Sequence, residues 1–117
     1  MRDPEASLLD IVTYARRAIT YLKGVNAGEF AASTGVQDQV IRCLTVIGEA
    51  ARRTPEQVRI AYPRVPWAPM VSMRNRLAHE YDGVDADTVW LTVTRDLPEI
   101  LAEIEEGPSD PTTRSER

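Results

Sequence analysis

Residues 36–55, VQDQVIRCLTVIGEAARRTP, decide the fold. Val36, Val40, Leu44, Ile47 and Ala51 recur at steps of three and four, so they line up as one apolar stripe on a helix. Cys43 and Ala50 lie beside that stripe, and Cys43 reads as a small core filler. Thr54-Pro55 ends the helix, because proline has no N–H with which to continue it. A single stripe must be covered by partners of the same kind, and the rest of the chain supplies them.

Upstream, Asp3 can cap a helix, Pro4 suits its first position and Glu5 complements its positive end. Leu8, Val12, Ala15, Ile19 and Leu22 form the stripe, and Gly24 stops it. Residues 25–35, VNAGEFAASTG, read as a linker with a turn around Phe30. Downstream, PEQVRIAY (55–62) is a short helical segment, and YPRVPWAPM (62–70) is a proline-stiffened connector anchored by Trp67. A third long helix carries Met70, Val71, Arg74, Leu77, Ala78 and Tyr81 on a broad face and breaks at Asp82-Gly83. Asp85 caps a fourth, with Ala86 and Asp87 in its first turn. The stripe of this fourth helix is Trp90, Val93, Leu97, Ile100, Leu101 and Ile104, and Pro98 inside it predicts a kink. No strand-like alternation or internal repeat interrupts this pattern. The expectation is all-α: an up-down bundle of four main helices plus a short connector helix, one domain over residues 1–106. Residues 107–117, GPSDPTTRSER, read as a disordered polar tail.

The whole-chain numbers agree with one domain. There are 117 residues, 43% hydrophobic but only 6% aromatic, which suits an aliphatic core. No run approaches the roughly 18 apolar residues of a membrane span, and MRDPEASLLD lacks the apolar core of a signal peptide. Cys43 is alone, so neither an internal disulfide nor a cysteine-based zinc site is available. The chain reads as cytoplasmic, with no membrane contact. Its net charge of −4 is unevenly spread. Residues 42–76 hold seven arginines against Glu49 and Glu56, net +5, whereas residues 77–117 are net −8. Such asymmetry suits either a phosphate-facing side or a set of solvated helix faces.

The chemistry-bearing stretch is MRNRLAHEY, residues 73–81, which contains the single histidine. Asn75 and His79 are four apart and share a helix face, so Asn75 can orient the imidazole. Arg74 and His79 are five apart and point about 140° away from each other on a regular helix. One protomer alone does not obviously bring both to one phosphate, but a two-fold axis duplicates each across an interface and can. Those residue types suit RNA cleavage without a metal or other cofactor. Imidazole exchanges protons near neutral pH, and a guanidinium stabilises the extra charge on a phosphate in the transition state. A ribose 2′-OH is required as nucleophile, which restricts the substrate to RNA. Taken singly, each residue also has a plainer reading. His79 suits a helix C-terminus, Arg74 an ion pair, and Tyr81 a core ring with its hydroxyl at the rim.

RNRLAHEY resembles the R-x-x-x-x-H-x-Y motif of the HepT-like toxins, within the HEPN superfamily of ribonucleases. VIRCLTVIGEAARR (40–53), YPRVPW (62–67), MRNRLAHEYDGVD (73–85) and the VW…DLPEIL pattern (89–101) resemble the family in the same order. The resemblance covers most of residues 5–106. It implies a dimerising helical bundle with a metal-independent endoribonuclease site at the homodimer interface. Arg74 and His79 would be the catalytic pair and Asn75 the supporting polar residue. Tyr81 would be the residue to which a cognate MNT-type nucleotidyltransferase antitoxin transfers AMP, in a type VII toxin–antitoxin pair. A rival reading of the same basic stretch is a catalytically idle helical partner of a nucleotidyltransferase.

Overall fold

The computed structural model describes residues 5–79 and 85–109. The chain is an all-α, up-and-down bundle, and no strand occurs among the described residues. Its long elements are α1 (Ala6–Tyr21), α3 (Thr34–Arg53), α5 (Trp67–His79) and a helical rod made of α6 (Ala86–Leu91), a π turn (Thr92–Asp96) and α7 (Leu97–Glu106). Two short helices, α2 (Ala27–Ala32) and α4 (Glu56–Ala61), lie in the connections.

The expected stripe sits at the centre. On α3, Val40, Leu44, Ile47 and Ala51 are buried, with Cys43 and Ala50 beside them. This helix packs on α1 along one side and on α5 along another. Ala15 and Ala18 of α1 and Ala50 and Ala51 of α3 are fully buried, and side chains this small let helix axes approach closely. Burial of one Ile or Leu stabilises by about 1.5–3 kcal/mol, and Leu8, Ile11, Leu97 and Ile100 add to the same cluster. The core face of α1 is rotated from the expected one: Ile11 and Ala18 are fully buried, while Val12 and Ile19 lie at its edge. On α5, Met70 and Leu77 are buried, but Ala78, expected on the same face, is exposed.

Helix ends follow local chemistry. Gly24 stops α1 with φ +76°, a backbone conformation that side chains resist. The expected linker contains α2, started by a capping box. Asn26 Oδ1 accepts from Glu29 N at 2.8 Å, and Asn26 N donates to Glu29 Oε1 at 3.0 Å. Phe30 of α2 is buried against Trp90 of α6, ring centroids 5.7 Å apart. Trp67 anchors the connector: it is buried, and its Nε1 donates to Tyr62 O at 3.0 Å. Asp85 caps α6 by accepting from Asp87 N at 3.1 Å. The kink expected at Pro98 takes the form of the π turn before it. Proline's ring would collide with the carbonyl four residues earlier, and the wider turn at Thr92–Asp96 opens that space. The expected cap at Asp3-Pro4, the break at Asp82-Gly83 and residues 110–117 of the tail lie outside the described residues. Ser109, within the expected tail, donates its N–H to Ala61 O at 2.7 Å. Among the described residues, no helix is long and apolar enough to cross a membrane.

Candidate functional site

The stretch RNRLAH is continuous α-helix within α5. Arg74 and His79 therefore stand on one rod, with their directions about 140° apart on regular helix geometry. The side chain of His79 and the whole of Tyr81 lie outside the described residues. Asn75 is exposed.

Arg74 does not point to solvent alone. It leaves α5 toward α3 at Gly48, where a β-carbon would come within 2.9 Å of Arg74 Cγ and 3.0 Å of Met70 O. The missing side chain of Gly48 is thus the slot through which Arg74 crosses the helix interface. Beyond the slot, Arg74 Nη2 pairs with Glu49 Oε1. Its Nη1 donates to Asn75 Oδ1 at 3.1 Å. Its Nε is buried and has no hydrogen-bond acceptor among the described residues. The second carboxylate oxygen of Glu49 accepts from Arg52 Nη2 at 3.4 Å. One carboxylate therefore holds two guanidiniums, and the three side chains together keep a positive charge. Partial burial pushes the Glu49 carboxyl up, but the Arg52 hydrogen bond and the charge and hydrogen bond of Arg74 outweigh it and hold it below the usual carboxylate range. The Arg74 side chain remains 27% exposed, enough for a phosphate to reach it.

The other arginines of the basic segment have separate occupations. Arg59 caps the C-terminus of α3, donating to Ala51 O at 2.8 Å, Thr54 O at 3.1 Å and Arg52 O at 3.2 Å. Arg53 pairs with Asp10 at 3.4 Å and Arg64 with Glu103 at 3.8 Å. Arg42 and Arg76 are exposed and make no ion pair among the described residues. Much of the +5 of residues 42–76 is thus matched locally. Cys43 is buried within α3, and burial pushes its thiol up, so it is a neutral core side chain. No cluster of His, Cys, Asp and Glu among the described residues could hold a metal ion.

α5 also lines an apolar groove of about 590 Å³. Met70 and Met73 form one wall, Leu44 and Ile47 the floor, and Leu97 and Ile100 the opposite wall. Asp96, Glu99 and Glu103 stand on the α7 side. The groove exists because α5 packs chiefly on α3 and leaves a gap toward α7.

Residues 11–106, nearly the full span of this bundle, match the family model described as ribonuclease HepT-like. The chain belongs to the HepT-like ribonuclease family. Relatives agree with that placement. A Methanocaldococcus jannaschii protein that carries a provisional RNase name is 41% identical over 104 residues, covering 89% of this chain and 90% of that protein. A Caldanaerobacter subterraneus protein with a similarly provisional RNase name is 30% identical over 106 residues, covering 91% and 95%. A Thermococcus cleftensis protein, provisionally named ribonuclease HepT, is 38% identical over 77 residues, covering 66% and 70%. No solved structure gave a significant match. Membership in the HepT-like family supports ribonuclease activity for this chain. Sequence reading alone missed Gly48 and Glu49. The signal that could have found them is a glycine in the middle of a helix, directly after the stripe residue Ile47 and directly before an acid.

Proposed function

We propose that this HepT-like chain is the metal-independent endoribonuclease toxin of a type VII HEPN/MNT pair. Family membership carries the reading, and the placement of Arg74 supports it: a partly exposed cation on the helix that also carries His79. Arg74 stabilises the phosphate as charge builds on it. His79 moves the proton, either from the ribose 2′-OH or onto the leaving 5′ oxygen, and Asn75 supports the site. The 2′ oxygen bonds to phosphorus as the P–O5′ bond breaks, leaving a 2′,3′-cyclic phosphate and a 5′-hydroxyl.

The directions of Arg74 and His79 on one rod favour a homodimer in which each phosphate meets groups from two protomers. The apolar groove beside α5 supports a second copy as the covering surface. Acids at its α7 side, and Arg42 and Arg76, which make no ion pair among the described residues, are of opposite sign and suit self-association. Transfer of AMP to Tyr81 by a nucleotidyltransferase antitoxin would place an anionic group two residues from His79 and repel the substrate phosphate. One observation favours the rival reading, a catalytically idle partner of the transferase: Arg74 already has a carboxylate against it.

Cleavage of cellular RNA in excess EDTA, beside His79→Ala, separates the two. Cutting by the parent alone, with 2′,3′-cyclic phosphate ends, is the expected result. Intact RNA with both proteins, when intact mass shows Tyr81 unmodified, would favour the idle partner.

A further inference from the structure

We propose that Glu49 is a positioning residue for Arg74, fixing its guanidinium in the orientation in which it meets the phosphate; the catalytic consequence rests on the ribonuclease reading above. An arginine reaches its head group through four rotatable bonds, so a site that depends on it must restrain it before substrate arrives. Here the restraint comes from three sides. Gly48 admits the Cβ and Cγ of Arg74 against the backbone of α3. Glu49 Oε1 holds Nη2, and Asn75 Oδ1 accepts from Nη1.

An ordinary ion pair would cancel the charge it anchors. This one does not, because Glu49 is shared: Arg52 takes its other oxygen. Two cations against one anion leave the cluster positive, and Arg52 is itself exposed beside it. The anchor can therefore orient Arg74 without removing its attraction for phosphate. Glu49 touches neither substrate nor reacting atoms and acts through Arg74 alone.

The test compares the full chain with Glu49→Gln, Arg74→Ala and the double variant, first confirming equal helicity by circular dichroism. On a defined RNA oligonucleotide, Glu49→Gln is expected to lower kcat by about 10–100-fold with a smaller change in KM, as for a group displaced by about an ångström. Once Arg74 is Ala, adding Glu49→Gln should cost nothing further. Parental cutting by Glu49→Gln, or losses that multiply in the double variant, would overturn the proposal. A second readout needs no cleavage. The Nη2–H resonance of Arg74, assigned by its disappearance in Arg74→Ala, should be protected from exchange in the parent and lose that protection in Glu49→Gln. If the parent cuts no RNA, the ribonuclease reading fails, and this resonance still decides the anchoring. Unchanged protection in Glu49→Gln would sink it.

Discussion

Gly48 of α3 and Arg74 of α5 occupy one volume between them: the arginine stem fills the place where a side chain at position 48 would be. The contact ties the packing of two central helices to the orientation of the candidate phosphate-binding group. Stability and site geometry therefore share a residue pair, and substitutions there should move both.

Gly48→Ala is expected to destabilise. Alanine favours helix over glycine by about 1 kcal/mol, but a β-carbon forced against Arg74 and the Met70 carbonyl costs about 1–3 kcal/mol. Gly35→Ala is the control, because its β-carbon meets nothing within 4 Å. Urea melts should show Gly35→Ala level with the parent or slightly above it, and Gly48→Ala below both.

Arg74→Lys should behave more like Arg74→Ala than like the parent. A guanidinium reaches Glu49 and Asn75 with separate nitrogens, whereas an ammonium is a single point. The expected loss in kcat is at least about 10-fold, by analogy with removal of one oriented charge donor. Full activity in Arg74→Lys would show that charge alone, and not orientation, is what the site needs.

The Glu49 anchor has a predictable pH window. Its folded carboxyl lies lower than an ordinary one, so its contribution is complete above the unfolded value, near 4.5. The contribution fades as pH falls through the depressed folded value. The gap in melting temperature between parent and Glu49→Gln should therefore be constant from neutral down to about pH 5 and narrow below that. A gap that persists unchanged in stronger acid would mean that the carboxylate charge is not what stabilises.

Arg59 belongs to the basic segment, yet its three hydrogen bonds end on main-chain carbonyls at the C-terminal end of α3. Arg59→Ala should cost about 1.5–3 kcal/mol of stability, the range for hydrogen bonds from a charged group. RNA affinity and its salt dependence should not change. A shallower salt slope in this variant would assign Arg59 to the nucleic-acid surface instead.

The bundle was legible because its signals are local. The α3 stripe, the stop at Gly24, the Thr54-Pro55 end and the Asp85 cap each depend on residues a few positions apart, and each stands where the periodicity places it. The face of α1 was misjudged by about one residue, because Val12 and Ile19 are as apolar as the Ile11 and Ala18 that are buried. Only the shape of the partner helix chooses between them, and small alanines choose the close approach. α2 was hidden by its length: six residues make too little periodicity, although Asn26 and Glu29 spell its capping box. At the candidate site, Arg74 stood out from its motif, but its partner did not. Glu49 lies on another helix, and no spacing rule connects positions 25 residues apart. The charge asymmetry was real as a count, yet it did not reveal that Arg59 is a cap and Arg53 and Arg64 are paired.

The π turn at Thr92–Asp96 makes the last rod intolerant of added length. It is the joint between a segment packed on α2 and one packed on α1, and it sets the angle at which the second presents Leu97, Ile100 and Ile104 to the core. Loss of one residue would only close the turn to an ordinary α-helical one, whereas gain of one would rotate everything after it by about 100°. Asp96, Glu99 and Glu103 would then arrive where those three now sit. A point substitution in the turn changes one side chain, whereas a single-codon insertion there replaces a whole face and puts three carboxylates into the interior.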